Sequence, residues 1–294
     1  MSMTTALAAQ IRRESLFGWR RAPACASSKC TRDQSLWNRF FAHITTIEFR
    51  RSTFCFPSCF ERELQRELER LSVTNSANSR RTRRIPLGLL MLSRGAVTND
   101  QLWRALDEQK QTGYGRIGEC LTRLGFAQEA DITAALALQW SCPLLRKLPT
   151  LFDSCGIPMQ VLRSLRMFPI HLSRPRSTVH VAFADEIAYA ALVSLEQMLN
   201  LKTEACLTTP RELNSALDAL KESGEQKEKV FRNLRHPEEI VPIVSGYAGK
   251  LHASEVRTVV CGSQYWVRVF GDSGPFDLIF TMRKTGFEEI QTAV

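Results

Sequence analysis

PLGLLMLSRGAVTNDQLWRALDEQ (residues 86–109) and RIGECLTRLGFAQEADITAALALQ (116–139) decide how this chain is read. An offset of 30 residues superposes the two segments. Gly88 falls on Gly118, Gly95 on Gly125, Leu106 on Leu136 and Gln109 on Gln139. Such self-similarity marks two copies of one supersecondary unit. Each copy reads as a helical hairpin. Leu87, Leu90 and Met91 have helical spacing, and Gly95 suits a helix end. Thr98 with Gln101 three residues on makes a capping box for the second helix, whose inner face carries Leu102 and Leu106.

Beyond Pro158 the period changes. MFPIHL (167–172) and TVHVAFA (178–184) alternate as strands around a turn. EIAYAALVSLEQMLN is amphipathic and ends near Asn200, KTEACL (202–207) is a further strand, and PRELNSALDALK opens with a proline suited to a first helical turn. The predicted fold class is α+β: paired helical hairpins, then a small strand-strand-helix-strand-helix layer. A small Cys-rich module (22–71) precedes this central region (85–222), and a small helix-plus-three-strand module (236–280) follows it. In the latter, PEEIVPIVSGYAGKL is the helix, with Pro242 expected to kink or delay it. The adjacent Tyr265 and Trp266 point to opposite faces of a strand, so at least one is expected to be exposed or to meet a partner. Residues 1–21 read as a leader, 72–84 as a basic linker and 281–294 as a frayed tail.

The 294 residues carry a net charge of +9, with 44% hydrophobic and 23% charged residues, a globular composition. Residues 1–84 hold 16 Lys and Arg against 7 Asp and Glu, so the whole excess lies there. A zinc-bearing, nucleic-acid-binding protein using this segment is therefore one alternative reading. No run of about 18 apolar residues occurs and the N-terminus lacks the order of a secretory signal, so membrane insertion is not expected and a cytoplasmic location is.

Nine cysteines in such a chain do not suggest a disulfide framework. Cys25 with Cys30 and Cys55 with Cys59 form two close pairs. Four thiolates in two pairs suit tetrahedral zinc, and the second pair sits where a helix begins. The competing account makes Cys55 and Cys59 small apolar residues beside Phe54, Phe56 and Phe60. Zinc is favoured because a piece this polar has little core without a staple. Cys120, Cys206 and Cys261 read as core.

The doubled motif resembles the N-terminal (MshEN-type) domain of type II secretion and type IV pilus assembly ATPases. That family's pattern, Arg-Leu-Gly, then Gly, then a helix ending Leu-x-x-Gln, given twice, corresponds here to Arg116-Ile117-Gly118, Gly125, Leu136 and Gln139, and to Pro86-Leu87-Gly88, Gly95, Leu106 and Gln109. The resemblance covers residues 85–222. It implies a non-catalytic regulatory or adaptor module of secretion or pilus machinery. It also implies cyclic di-GMP as a ligand, held by Leu87, Gly88, Leu106, Gln109, Arg116, Ile117, Gly118, Leu136 and Gln139. Pro86 stands where the motif has Arg, and Arg83 and Arg84 are the nearest basic substitutes, so weak, lopsided or absent binding is expected. A docking protein with a decayed nucleotide site is a further reading. No Gly-x-x-x-x-Gly-Lys-Ser/Thr loop occurs in these residues, and no nucleophile or paired carboxylate stands out, so no enzyme activity is expected.

Overall fold

The computed structural model describes residues 24–30, 46–77, 84–149, 156–173, 176–223 and 228–283. The predicted leader, Arg83 and the chain beyond residue 283 lie outside them. The elements in chain order are β1 (Thr46–Phe49), β2 (Ser52–Cys55), α1 (Ser58–Ala77), α2 (Leu87–Ser93), α3 (Asn99–Thr112), α4 (Ile117–Arg123), α5 (Glu129–Trp140) and α6 (Met159–Ser164). They continue with β3 (Met167–Ser173), β4 (Thr178–Phe183), α7 (Tyr189–Leu199), β5 (Lys202–Leu207), α8 (Pro210–Ser223), β6 (Glu228–Leu234), α9 (Ile240–Lys250), β7 (Glu255–Cys261), β8 (Gln264–Gly271) and β9 (Gly274–Met282).

The two hairpins form as their local signals predict. Thr98 accepts from the Gln101 backbone N–H while the Gln101 side chain accepts from Thr98 N–H, closing the capping box of α3. At the start of α5, 30 residues on, the Asp131 carboxylate accepts from Gln128 N–H at 3.1 Å, and Asp131 N–H bonds the Gln128 backbone carbonyl. Gly95 and Gly125 take φ of +67° and +71°, the left-handed conformation that ends the first helix of each hairpin. Met91, Leu102, Ala105, Cys120, Leu121 and Ala135 fill the core between the four helices.

Two glycines inside this layer answer to packing. A Cβ on Gly88 would lie 2.6 Å from Leu102 Cδ1, and one on Gly118 would lie 2.9 Å from Ile132 Cγ2. Glycine lets the two helices of each hairpin approach closely. Leu102 can withdraw its side-chain tip, whereas the Ile132 contact is on the stiff β-branch. Gly118→Ala is therefore expected to lose about 1–3 kcal/mol to overpacking, partly offset by about 1 kcal/mol of helix propensity. Gly246→Ala in α9, where nothing lies within 4 Å of the new Cβ, should instead gain about 0.5–1 kcal/mol. Urea denaturation of the two variants checks the opposite signs.

The central layer has strand order β3-β4-β5, with β3 and β4 antiparallel and β4 and β5 parallel across α7. Asn200, in the left-handed conformation, ends α7 where expected. Asp185 and Glu186 do not cap that helix, which starts only at Tyr189; they pair with Arg166 and Arg116.

The flanking pieces differ most from expectation. They are not two separate modules: β1 and β2 join β6 to β9 in one six-stranded sheet, ordered β2-β1-β7-β8-β9-β6. β1 lies parallel to β7 through Glu48 opposite Glu255 and Phe49 opposite Val256. β6, in a stretch that reads as the end of a charged run, lies parallel to β9. α1 continues to Ala77, into the stretch expected to be a linker. The predicted helix opens as a 3-10 turn at Pro237–Glu239 and becomes α9 at Ile240, with Pro242 in the first turn, where its missing N–H costs nothing.

The sheet is covered on both faces, so Tyr265 and Trp266 are both buried. Trp266 packs with Val259, Cys261 and Ile279 into the core of the three-stranded layer. Tyr265 faces the other way, into a core built from Phe49, Phe60, Leu64, Val244 and Phe280. A buried polar cluster joins the first face to the central region. Asp277 accepts from Trp266 Nε1 at 2.7 Å and from Arg268 Nε and Nη2 at 2.8 Å each. Arg268 also donates to the carbonyl of Gly156. Ser194 Oγ bonds the Val260 carbonyl at 2.5 Å and Arg257 bonds that of Met198 at 2.9 Å. Burial pushes the nearby Glu228 carboxyl above its usual range, against backbone hydrogen bonds from Gln160 and Met159 that pull it down. The central layer and the sheet thus share one core.

Candidate functional site

The motif residues come together where the hairpins meet. Gln109 Nε2 donates to the carbonyl of Gly115 at 2.8 Å, and Gln139 Nε2 donates to that of Ile85 at 2.5 Å. Gly115 and Ile85 are themselves 30 residues apart and lie just before α4 and α2. Each copy's last helix therefore clamps the start of the other copy's first helix, a reciprocal lock with pseudo-twofold character. Leu87, Leu106 and Ile117 are half-buried against the hairpin core, and Leu136 packs toward the central layer. Gly88 and Gly118 are buried between helices.

The two capping positions differ. Arg116 caps α4, is 60% exposed at its side chain, and lies 3.5 Å from Glu186. Pro86 caps α2 with no side-chain hydrogen bond. Arg84 does not fill the place of the missing arginine freely, since its guanidinium lies 3.1 Å from the centroid of the Trp140 ring. Trp140 also meets Tyr189 at 5.8 Å between centroids, packing hairpin layer against α+β layer.

Beside Trp140 opens a groove of about 720 Å³, with Ile170, Leu192 and Val193 among its walls. His171 and His180 sit opposite each other in register across β3 and β4, their rings stacked 6.2 Å apart. His180 does have an acidic neighbour that sequence spacing did not reveal: Glu204 on β5, 3.4 Å from Nδ1. A parallel pairing through a crossover helix puts that contact beyond local reading.

The second assembly is cysteine. Sulfur atoms of Cys25, Cys30 and Cys59 lie within 4.8 Å of one another, and the group can hold a metal ion. Cys55 lies beside this trio: its Sγ is 3.8 Å from Cys30 Sγ, and its backbone N–H donates to Cys25 Sγ at 3.4 Å. Cys25, Cys30 and Cys55 are half-buried and Cys59 is buried. Burial first, then the neighbouring thiols, push the Cys55 thiol up to about 12 and that of Cys59 to about 11. Cys59 lies in the first turn of α1, as expected, while Cys55 ends an edge strand that sequence reading did not identify. Ala26 N–H bonds the Thr53 carbonyl and brings the first pair to that edge. Phe56 reaches α9, where a Cβ on Gly249 would lie 3.3 Å from its Cζ.

The arginines around this assembly are largely engaged. Arg50 and Arg70 both pair with the buried Glu67 at 2.6 Å, and Arg66 pairs with Glu63 at 3.2 Å. Among the described residues no helix is long and apolar enough to cross a membrane.

No family model matches the chain. Over 127 residues it is 26% identical to the type IV pilus assembly ATPase PilB of Thermus thermophilus. The match takes 42% of this chain and 14% of that protein, so the chain spans a small part of that curated relative. A solved structure of MshE with cdg is similar at 30% identity, over 47% of this chain and 98% of that one, with a TM-score of 0.39. The N-terminal domain of XpsE is similar at 18% identity, over 48% and 98%, with a TM-score of 0.37. No ATPase domain is matched.

Proposed function

About half of this chain is homologous to the N-terminal domains of the MshE, XpsE and PilB ATPases, and on that premise we propose that it is a non-catalytic regulatory or adaptor module of a secretion or pilus system. Cyclic di-GMP is its ligand, held weakly and unequally by the two hairpins. The observation that carries this reading is the reciprocal clamp of Gln109 and Gln139, which sets two equivalent helix starts side by side for two halves of a near-symmetric ligand. Arg116 offers a charged fork at one start, and Pro86 offers none at the other.

A charged hydrogen-bonded contact is worth about 1.5–3 kcal/mol, so its loss on one side lowers affinity about tenfold to a hundredfold. Calorimetry with cyclic di-GMP on the full chain tests this. Arg116→Ala should abolish binding and Pro86→Arg should tighten it about tenfold or more. Binding that ignores Arg116→Ala places the ligand elsewhere. No binding even with Pro86→Arg leaves the repeat as a docking scaffold.

The cysteine quartet, Cys25, Cys30, Cys55 and Cys59, we assign to a structural zinc ion. A tetrahedron with Zn–S bonds of about 2.3 Å has sulfur–sulfur edges of about 3.8 Å, the separation found between Cys30 and Cys55. Zinc there would tie residues 24–30 to the free edge of the six-stranded sheet. It supplies no chemistry beyond this cross-link.

A further inference from the structure

We infer that Arg62, seconded by Lys29, is the outer-sphere cation of the cysteine centre: once a metal ionises the four thiols, the buried Nη1 of Arg62 takes a cysteine thiolate as its acceptor. The inference rests on the zinc assignment and adds to it a residue that no metal-ligand pattern contains. A small cavity of about 180 Å³ is lined by Cys30, Cys55 and Cys59 together with Lys29 and Arg62. Arg62 lies one helical turn beyond Cys59 on α1, so both side chains project from one face of that helix. Its Nη1 is buried and has no hydrogen-bond partner among the described residues.

That isolation sets Arg62 apart from its neighbours. Arg66 and Arg70, farther along the same helix, each have a carboxylate. A buried guanidinium donor without an acceptor is costly, and natural interiors rarely leave one unexplained. Nη1 makes no hydrogen bond to a cysteine sulfur here, and a neutral thiol attracts it only weakly. Metal loading changes this. Each thiol gives its proton to solvent, and a divalent ion with four thiolates carries a net charge of about −2. Arg62 and Lys29 together offset that charge, and Nη1–H···S bonding orients a ligand as outer-sphere partners do in other metal sites.

The test uses the full chain, stripped of metal and titrated with cobalt(II), then with zinc against a chromophoric chelator. The unaltered protein should bind one cobalt with the absorption of a tetrahedral thiolate site. Arg62→Met should keep that spectrum but bind zinc about tenfold to a hundredfold more weakly, and Arg62→Lys should recover much of the loss. Affinity of Arg62→Met within about twofold of the unaltered protein would overturn the inference while leaving the zinc site intact. An Arg62→Lys as weak as Arg62→Met would overturn it too, assigning the loss to packing and not to charge. No cobalt bound by the unaltered protein removes the zinc assignment itself, a result distinguishable from both.

Discussion

Asp277→Ala is expected to lower stability by about 3–5 kcal/mol, because it breaks a buried ion pair by removing one partner. Asp277 and Arg268 are 12% and 7% exposed at their side chains. The carboxylate accepts three hydrogen bonds, two from Arg268 and one from Trp266. Without it the guanidinium keeps only the Gly156 carbonyl, and the indole N–H is left unpaired. The loss falls at the junction between the sheet and the segment entering α6, so it should also loosen the central layer from its support. A paired replacement separates charge burial from structure: Arg268→Met with Asp277→Leu should regain most of the loss, since apolar residues often replace a buried pair at little cost. Urea denaturation followed by tryptophan fluorescence measures both. A loss below about 1 kcal/mol, the range of exposed pairs, would show that water reaches this cluster.

Removing zinc should be the next largest perturbation, and a more local one. Elemental analysis of protein purified without chelator is expected to find about one zinc per chain, as a four-thiolate site requires. Cys59→Ser should reduce that value toward zero. At free zinc about a thousandfold above its dissociation constant, linkage predicts that the metal adds about 4 kcal/mol, read as a drop in melting temperature on adding chelator. The effect should stop short of global unfolding. Phe49, Phe60 and Leu64 are fully buried in the shared core beneath the site, and they hold β1 and α1 without the metal. Residues 24–30, attached through Cys25, Cys30 and one backbone bond to Thr53, should be released first. Hydrogen exchange localises that change. A melting temperature indifferent to chelator, in protein that carries no zinc, would return the four cysteines to the role of small apolar residues beside Phe54, Phe56 and Phe60.

Local chemistry was legible wherever a residue's partner lies within a helical turn or a hairpin. The capping box at Thr98, the left-handed glycines 95 and 125, and the helix start at Cys59 all follow from spacing of a few residues. The convergence of Cys25, Cys30 and Cys59 was legible for another reason: metal-binding residue types are few, so two close pairs stand out even when the connecting chain is unread. The reciprocal bonds of Gln109 and Gln139 were only half legible. Their equivalence is in the repeat, but that each serves the other copy depends on how the hairpins are placed.

By itself, the amino-acid sequence determined that two copies of one helical hairpin precede an α+β layer, and that two close pairs of cysteines stand apart from the rest. Those properties are set by side-chain period, capping and backbone conformation, which act over a few residues. Only the tertiary structure decided that the flanking pieces share a six-stranded sheet, that Tyr265 and Trp266 are both buried, and that Arg268 and Asp277 face the central region. The two parallel pairings, β1 with β7 and β6 with β9, join strands far apart in the chain. A strand's own residues specify which face is apolar but carry little signal about which distant edge it joins, so that choice is made by the packing of the whole core.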